Sequence, residues 1–211
     1  LHFNNALLRF LFDMKKLFIL LLVSFTMLPL NAQNMRQIWL EMPDSIIPYL
    51  NRSLRTELAD YVTMGMKPEV MNTLQDSTRI EQLTDNYILV HLNHSSRLEI
   101  KSLDESTIAM VQTWCGPIAE SKLQLFSNNW EVKPIELDIM PTFIKPDTMS
   151  QQRYNDLLDM ANITMGEIQL SAKDNSLTIK YSVPLLSPTD KKEMQAILRQ
   201  RKFNWNGKTF K

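Results

Sequence analysis

The sequence predicts an α+β fold: an antiparallel β-sheet with two or three helices packed on one side and a C-terminal β-hairpin. Three observations predict it. Apolar residues recur at steps of 3–4 over residues 47–62, then at steps of two over residues 87–126. The strand-like runs follow one another across short polar turns, and the helical runs stand isolated between them. That order suits an antiparallel sheet better than a doubly wound parallel one. Finally, the chain has only 4 Gly, at 65, 116, 166 and 207. No stretch can hold G-x-G-x-x-G, a phosphate-cradling P-loop or G-x-S-x-G.

Residues 1–13 precede the first methionine, resemble neither a signal nor a domain, and are read as a start-site over-call. Met14-Lys15-Lys16 is a short basic region. The run 17–28 holds only Ser24 and Thr26 as polar residues, and Pro29-Leu30-Asn31-Ala32 supplies a turn and a small residue at its exit. This is the three-part plan of a secretory signal peptide over 14–32, and the run falls short of the roughly 20 apolar residues of a membrane span. Residues 33–211 are expected to form one mature domain, periplasmic or extracellular, with no stable membrane anchor after cleavage.

Within it, Ile47, Leu50, Leu54, Leu58 and Tyr61/Val62 mark a helix over 44–64, capped by Asp44 or Ser45 and stopped by Gly65. Residues 78–83 read as an edge strand, and 87–92 and 97–101 as strands joined by Asn93-His94-Ser95-Ser96. Residues 107–113, apolar on both faces, read as a central strand, followed by strands over 121–126 and 130–133. Pro134, Pro141 and Pro146 break the next stretch, leaving room for a short strand at 136–139. Ser150 caps a helix over 151–161. A hairpin follows, with strands 167–172 and 177–183. Ser187-Pro188-Thr189-Asp190 starts a helix to about Arg199, with Met194, Ile197 and Leu198 inward. Asn206-Gly207 turns a closing hairpin.

Lys+Arg and Asp+Glu both number 23. Residues 1–32 carry Arg9, Lys15 and Lys16 against Asp13, so the mature chain holds 20 basic and 22 acidic residues. That balance excludes nucleic-acid binding by bulk charge and an acidic disordered tail. The single Cys allows no internal disulfide, so the core must supply the stability.

Trp114-Cys115-Gly116-Pro117 imitates the start of a thioredoxin redox site, and Met140-Pro141-Thr142 its X-Pro-Thr loop. The resolving thiol's position is Ile118, so dithiol exchange has no second sulfur. Cys115 remains a candidate lone nucleophile with His91 or His94 as base. His91 and His94 lie three apart on a strand and face opposite sides, which argues against a shared metal even with Cys115 or Asp85. Asp104-Glu105 and Asp156/Asp159 read as solvated carboxylates. Lys191-Lys192 and Arg199-Gln200-Arg201-Lys202, beside Phe203 and Trp205, form a modest basic patch suited to an anionic polymer or glycan, or simply a solvated helix end. The methionines read as core filler. No cofactor-binding or metal residue is assigned, and Cys115, His91 and His94 are the catalytic candidates.

Met42-Pro43-Asp44-Ser45-Ile46-Ile47-Pro48-Tyr49-Leu50 after a signal peptide, then Thr113-Trp114-Cys115-Gly116-Pro117 with Ser121 and Trp130 downstream, resembles a family of exported Bacteroidales proteins, domain of unknown function 3256. The resemblance spans about Met35 to Phe210. It implies a diderm envelope and brings no activity, cofactor or site residue. The sequence thus leads to an exported, non-enzymatic binding module for a protein or glycan of the envelope. A Cys115-dependent enzyme and a protease-inhibitor or chaperone-like envelope module are the alternatives. A concave sheet face favours the binding module; a fully covered sheet without a cleft weakens it.

Overall fold

Two asparagine side chains start the first two helices. The Asn34 carboxamide oxygen accepts the Gln37 N–H at 2.9 Å and opens α1 (Met35–Glu41). Asn51 accepts the Leu54 N–H at 3.1 Å and opens α2 (Arg52–Thr63). The computed structural model describes residues 34–211, so the expected over-call (1–13) and signal segment (14–32) lie outside the described residues. The helix expected from residue 44 therefore begins at 52. Residues 44–50 make turns instead, because Pro48 has no N–H to give a helix and Asn51 supplies a better cap. Gly65, at φ 67°, follows the end of α2 as expected. The sequence reading missed α1. Its buried Met35, Ile38 and Trp39 sit on one face, but seven residues are too few for the period to stand out.

Arg55 ties α1, the turns and α2 together. It is 1% exposed. Its Nε donates to the Trp39 carbonyl at 3.2 Å, and its Nη1 donates to the Leu50 carbonyl and the Asp44 carboxylate, each at 2.8 Å. Nη2 donates to the Met42 carbonyl. Trp39 Nε1 returns a bond to the Arg55 carbonyl at 3.0 Å. One guanidinium thus serves carbonyls at the end of α1 and just before α2.

The strands β1 (Glu69–Met71), β2 (Ser77–Leu83), β3 (Tyr87–Asn93), β4 (Ser96–Asp104), β5 (Thr107–Cys115), β6 (Ala119–Phe126) and β7 (Val132–Lys133) form an antiparallel meander in chain order. Strand β2 is not the edge, since β1 pairs outside it. The side-chain period of two sorts residues onto two faces. Ile88, Val90, Leu92, Leu98, Ile100 and Ile108 pack under α1 and α2.

The other face is covered as well. After α3 (Gln151–Met160), strands β9 (Met165–Leu170), β10 (Ser176–Ser182) and β12 (Arg201–Asn204) form a second antiparallel sheet in the order β12–β10–β9. Ile168, Leu170, Leu177, Ile179 and Phe203 pack against Ala109, Val111 and Leu125 of the large sheet. The layers are helices, seven-stranded sheet, three-stranded sheet. The expected strand at 136–139 is absent; β8 (Thr142–Phe143) forms after it and pairs with β11 (Leu198–Arg199). Helix α4 (Pro188–Ile197) packs Met194 and Ile197 with Leu157 of α3 and Val183 in a third apolar cluster. Arg153 of α3 holds Asp190 and Glu193 of α4, the latter at 2.6 Å.

The C-terminal hairpin forms with a longer loop than Asn206-Gly207 suggests. Trp205 pairs with Phe210, and Asn204 and Lys211 exchange backbone bonds of 2.7 and 3.0 Å. The loop is 206–209, because the Asn206 side chain accepts from the N–H groups of Lys208 (3.0 Å) and Thr209 (2.9 Å).

Arg55→Ala leaves buried carbonyls of Trp39, Met42 and Leu50 without donors. It is expected to destabilise the fold by about 3 kcal/mol or more in urea unfolding. A loss within about 0.5 kcal/mol, the range of an ordinary surface change, would remove Arg55 from this role.

Candidate functional site

Strand β4 points Arg97, Glu99 and Lys101 at the second sheet, and all three lie where that sheet covers them. Glu99 is 3% exposed and Lys101 1%. The Glu99 carboxyl accepts the Leu170 N–H of β9 at 2.8 Å and the Tyr87 hydroxyl of β3 at 3.1 Å. On β6, the Ser121 hydroxyl oxygen accepts the Ile168 N–H at 2.9 Å and is 2.8 Å from the Thr113 hydroxyl. These N–H groups point away from β10, so they are the free edge of β9, satisfied by side chains rather than by a further strand. Arg97 Nη2 donates to Glu167 of β9 at 2.6 Å, and its Nε lies 3.5 Å from Glu99.

Burial pushes the Glu99 carboxyl above the usual glutamate value, against the bonds from Leu170 and Tyr87 and the Arg97 charge. Burial, then the Glu99 carboxyl, pushes the Tyr87 phenol upward. Burial opposes the Arg97 charge, but Glu167 and Glu99 more than offset it and leave its pKa above the usual value. Lys101, whose Nζ reaches the Ala172 carbonyl at 3.5 Å, is lowered by burial.

Where the second sheet stops short of β3, a groove of about 360 Å3 remains, lined by Glu81, Tyr87, Leu89, His91, Arg97 and Gln169 among others. Its charged groups are already engaged. His91 Nε2 meets Glu81, Tyr87 bonds Glu99, and Arg97 bonds Glu167. His94 sits in the exposed β3–β4 turn with Nδ1 3.5 Å from Asp76. Cys115 ends β5, half-buried, and the polar atom beside its sulfur is Arg97 Nη1 at 3.8 Å. The register sets His91 opposite Arg97 and Arg97 opposite Thr113. Cys115 is two residues further on and two strands away, roughly 12 Å from His91 by strand geometry. The fold therefore does not bring Cys115, His91 and His94 together. Among the described residues no group of three or more His, Cys, Asp or Glu side chains is placed to hold a metal.

A second concavity opens at the end of the two sheets, where α4 closes over them. It measures about 170 Å3 and is walled chiefly by Ile118, Tyr181, Val183, Leu186, Lys191 and Met194. Each wall has a local cause. Gly116-Pro117 turns β5 into β6 and brings Ile118 to the rim. Tyr181 lies opposite Gly166 in the β9–β10 pair, where a Cβ would meet its ring at an ordinary contact distance of 3.9 Å. Lys191 is in the first turn of α4, which Ser187 caps and Pro188 begins.

The polar residues of the pocket's lining include Ser182, Lys191 and Gln195 beside Tyr181. The Tyr181 hydroxyl is buried against the Arg201 guanidinium, without a well-formed hydrogen bond among the described residues. The neighbouring Arg201 guanidinium is committed to the Asp138 and Met140 carbonyls at 2.9 and 2.8 Å. The Lys191 ammonium has no ion pair among the described residues, and the chain beside it carries Leu185, fully exposed at φ 60°. The sequence reading placed Lys191 in a basic patch with Phe203 and Trp205. The fold separates that patch: Phe203 is buried, Trp205 Nε1 bonds Asp104 at 2.8 Å, and Lys202 faces Asp174. Tyr181 was missed as a site residue; its only sequence signal is a Tyr on the apolar face of a strand, which reads as core.

These features define a two-sheet α+β domain with a polar seam between its sheets and a small pocket at one open end. The chain belongs to the family described as Protein of unknown function (DUF3256), whose model matches residues 27–210. Its fold is similar to "Structure of a domain of an uncharacterized protein from Porphyromonas gingivalis W83", with a TM-score of 0.69 and 18% identity. That likeness covers 85% of this chain and 98% of the other. No curated protein matches the chain.

The seam has a pH signature. A folded-state value raised above the unfolded one gives stability that is full below the ordinary glutamate range and is lost as pH rises through the raised value. Glu99→Gln removes that titration. The stability of the wild type relative to Glu99→Gln, from urea midpoints, is expected to be larger at pH 4 than at pH 7. A difference that stays flat or grows with pH would contradict the buried carboxyl.

Proposed function

We propose that the protein is an exported, non-enzymatic binding module of the cell envelope, periplasmic or secreted, and that its binding site is the pocket at the open end of the two sheets. The observation that carries this reading is the concavity itself, in which the apolar side chains of Ile118, Val183, Leu186 and Met194 meet the polar Ser182, Lys191 and Gln195. Binding sites of small molecules have this composition: an apolar wall with a few polar groups set to orient what enters. The β3–β4 groove supports it less, because its charges neutralise one another. The signal-like segment 14–32 and the family resemblance support the envelope.

The expected uncovered sheet face plays no part in this reading. Over β4 to β6 the second sheet covers it, and the alternation of Arg97-Leu98-Glu99-Ile100-Lys101 that suggested exposure marks an interface between sheets instead. The Cys115 enzyme is the weaker reading for a chemical reason. A guanidinium favours a thiolate but cannot take a proton from it, and the imidazoles are held by Glu81 and Asp76.

Two measurements test the proposal. Amino-terminal sequencing of the protein recovered from envelope and culture fractions is expected to begin at Gln33; an intact amino terminus on cytosolic protein contradicts export. A fragment library followed by amide NMR is expected to give hits that shift Ile118, Tyr181, Val183 and Lys191 together. Hits confined to the β3–β4 groove would move the site there and sink the assignment to the end pocket.

A further inference from the structure

The helical end of the second layer has a core of its own. Leu157 of α3, Met194 and Ile197 of α4 and Val183 form it, with Phe143 of β8 and Leu198 of β11 packed against it. The apolar cluster between the two sheets, around Val111, Ile168 and Leu177, is separate. Arg153 ties α3 to α4, β8 pairs with β11, and the Ile144 N–H donates to the Ile197 carbonyl at 2.8 Å, so these elements are bonded to one another. The chain joins them to the sheets through residues 138–141, 161–164, 184–187 and 200. The first of these connections is clamped. Arg201 of β12 donates from Nη1 to the Asp138 and Met140 carbonyls at 2.9 and 2.8 Å and to the Asp138 carboxylate at 3.2 Å. Among the described residues no other side-chain hydrogen bond or ion pair joins the helical end to either sheet. The end pocket lies in the gap that results, with Pro117, Ile118 and Ala119 of the β5–β6 turn on one side and Leu186, Met194 and Gln195 on the other. Ile118 belongs to none of the buried apolar clusters.

We infer that α3, α4 and the β8–β11 ribbon move as one flap against the two sheets, opening and closing the end pocket, and that the Arg201 clamp sets how much of the protein is open. Three features carry this. The flap keeps its own apolar core in either position, so opening does not expose it. The surface it shares with the β5–β6 turn is small and without directed bonds, and units that meet in this way move relative to one another by default. The sheets themselves stay together, because Glu99 and Ser121 fix β9 to the large sheet and the Asn175 side chain donates to the Leu103 carbonyl at 2.6 Å at the opposite end. The motion is therefore a hinge at the connections, where a few residues absorb the change. Arg201 opposes it by holding 138–140 to β12. The inference goes beyond the proposed binding role and holds whether or not the end pocket is the binding site.

The test measures distances by electron spin resonance between pairs of spin labels on the purified protein, with Cys115→Ser so that the labels attach where they are placed. One pair spans the gap, Glu120→Cys on β6 and Lys192→Cys on α4. The other spans the opposite end of the sheets, Glu105→Cys and Lys173→Cys. All four positions are exposed, so the labels leave the core untouched. The first pair is expected to show a second, longer distance beside the main one, and the other pair a single narrow distance. Arg201→Gln is expected to raise the ratio of the long to the short population about tenfold, the worth of one hydrogen bond to a charged group. It should leave the Glu105–Lys173 distance unchanged. Lys202→Gln, one residue away and facing Asp174, should leave both pairs unchanged. A single distance between positions 120 and 192, as narrow as that between 105 and 173, overturns the flap in the unaltered protein. A long population that Arg201→Gln does not raise, or that Lys202→Gln raises equally, overturns the clamp. Neither result bears on whether the pocket takes a ligand, which the fragment screen decides separately.

Discussion

The free edge of β9 is what this architecture has to solve, and a buried carboxyl group solves it. An edge strand carries N–H groups that must be satisfied, and one buried without a partner costs about 1–3 kcal/mol. In most sheets a neighbouring strand or water supplies the acceptor. Here Glu99 and Ser121, projecting from the face of the large sheet, accept from Leu170 and Ile168. The three-stranded sheet is therefore fixed to the seven-stranded one by directed bonds as well as by apolar contact, and its orientation is set. The same bonds leave β9 with no N–H to offer a passing strand at these positions, so they also guard the edge against pairing with another chain. Arg97 completes the arrangement by holding Glu167 of β9 from the row below.

Fixing the second sheet in this way decides where the molecule is concave. It covers β4 to β6 and stops before β3, which leaves the polar groove. At the end where β5 turns into β6 the two sheets part, and α4 with its apolar Met194 closes most of the gap. The two hollows come from one cause and differ in chemistry. In the groove the seam's charges extend outward and meet their counterparts. In the pocket the seam has run out, and polar groups come from the end of β10, Tyr181 and Ser182, and from α4, Lys191 and Gln195.

Much of the fold was legible in the residues. The period of two marked β2 to β6, Gly65 marked the end of α2, Ser150 and Ser187 marked the starts of α3 and α4, and the apolar character of 107–113 on both faces marked an inner strand. What was not legible depends on pairs distant in the chain. Asp44 and Ser45 are both capable caps, yet Asn51 opens the helix, since one helix has many possible caps and packing selects among them. The sequence Arg97-Leu98-Glu99-Ile100-Lys101 has the pattern of a half-exposed strand, and only a second sheet more than sixty residues later makes its charged face internal. A hint was present, because a strand apolar on both faces requires cover on both, and its neighbour β4 shares that cover. Of the site, Cys115, His91 and His94 were conspicuous as residue types, but their separation follows from register. Tyr181 and Lys191 were inconspicuous, and their meeting at one pocket is a property of packing that no motif encodes.

The most direct measurement of this account is amide hydrogen exchange at Leu170 and Ile168 in the native protein. If Glu99 and Ser121 hold these N–H groups inside the interface, both exchange only through global unfolding, as slowly as the amides of β4 and β5, and Glu99→Ala accelerates Leu170 far more than the β4 amides. Exchange at Leu170 as fast as at an exposed strand edge, with Glu99 unaltered, would contradict the carboxyl-bound edge on which the arrangement of the two sheets depends.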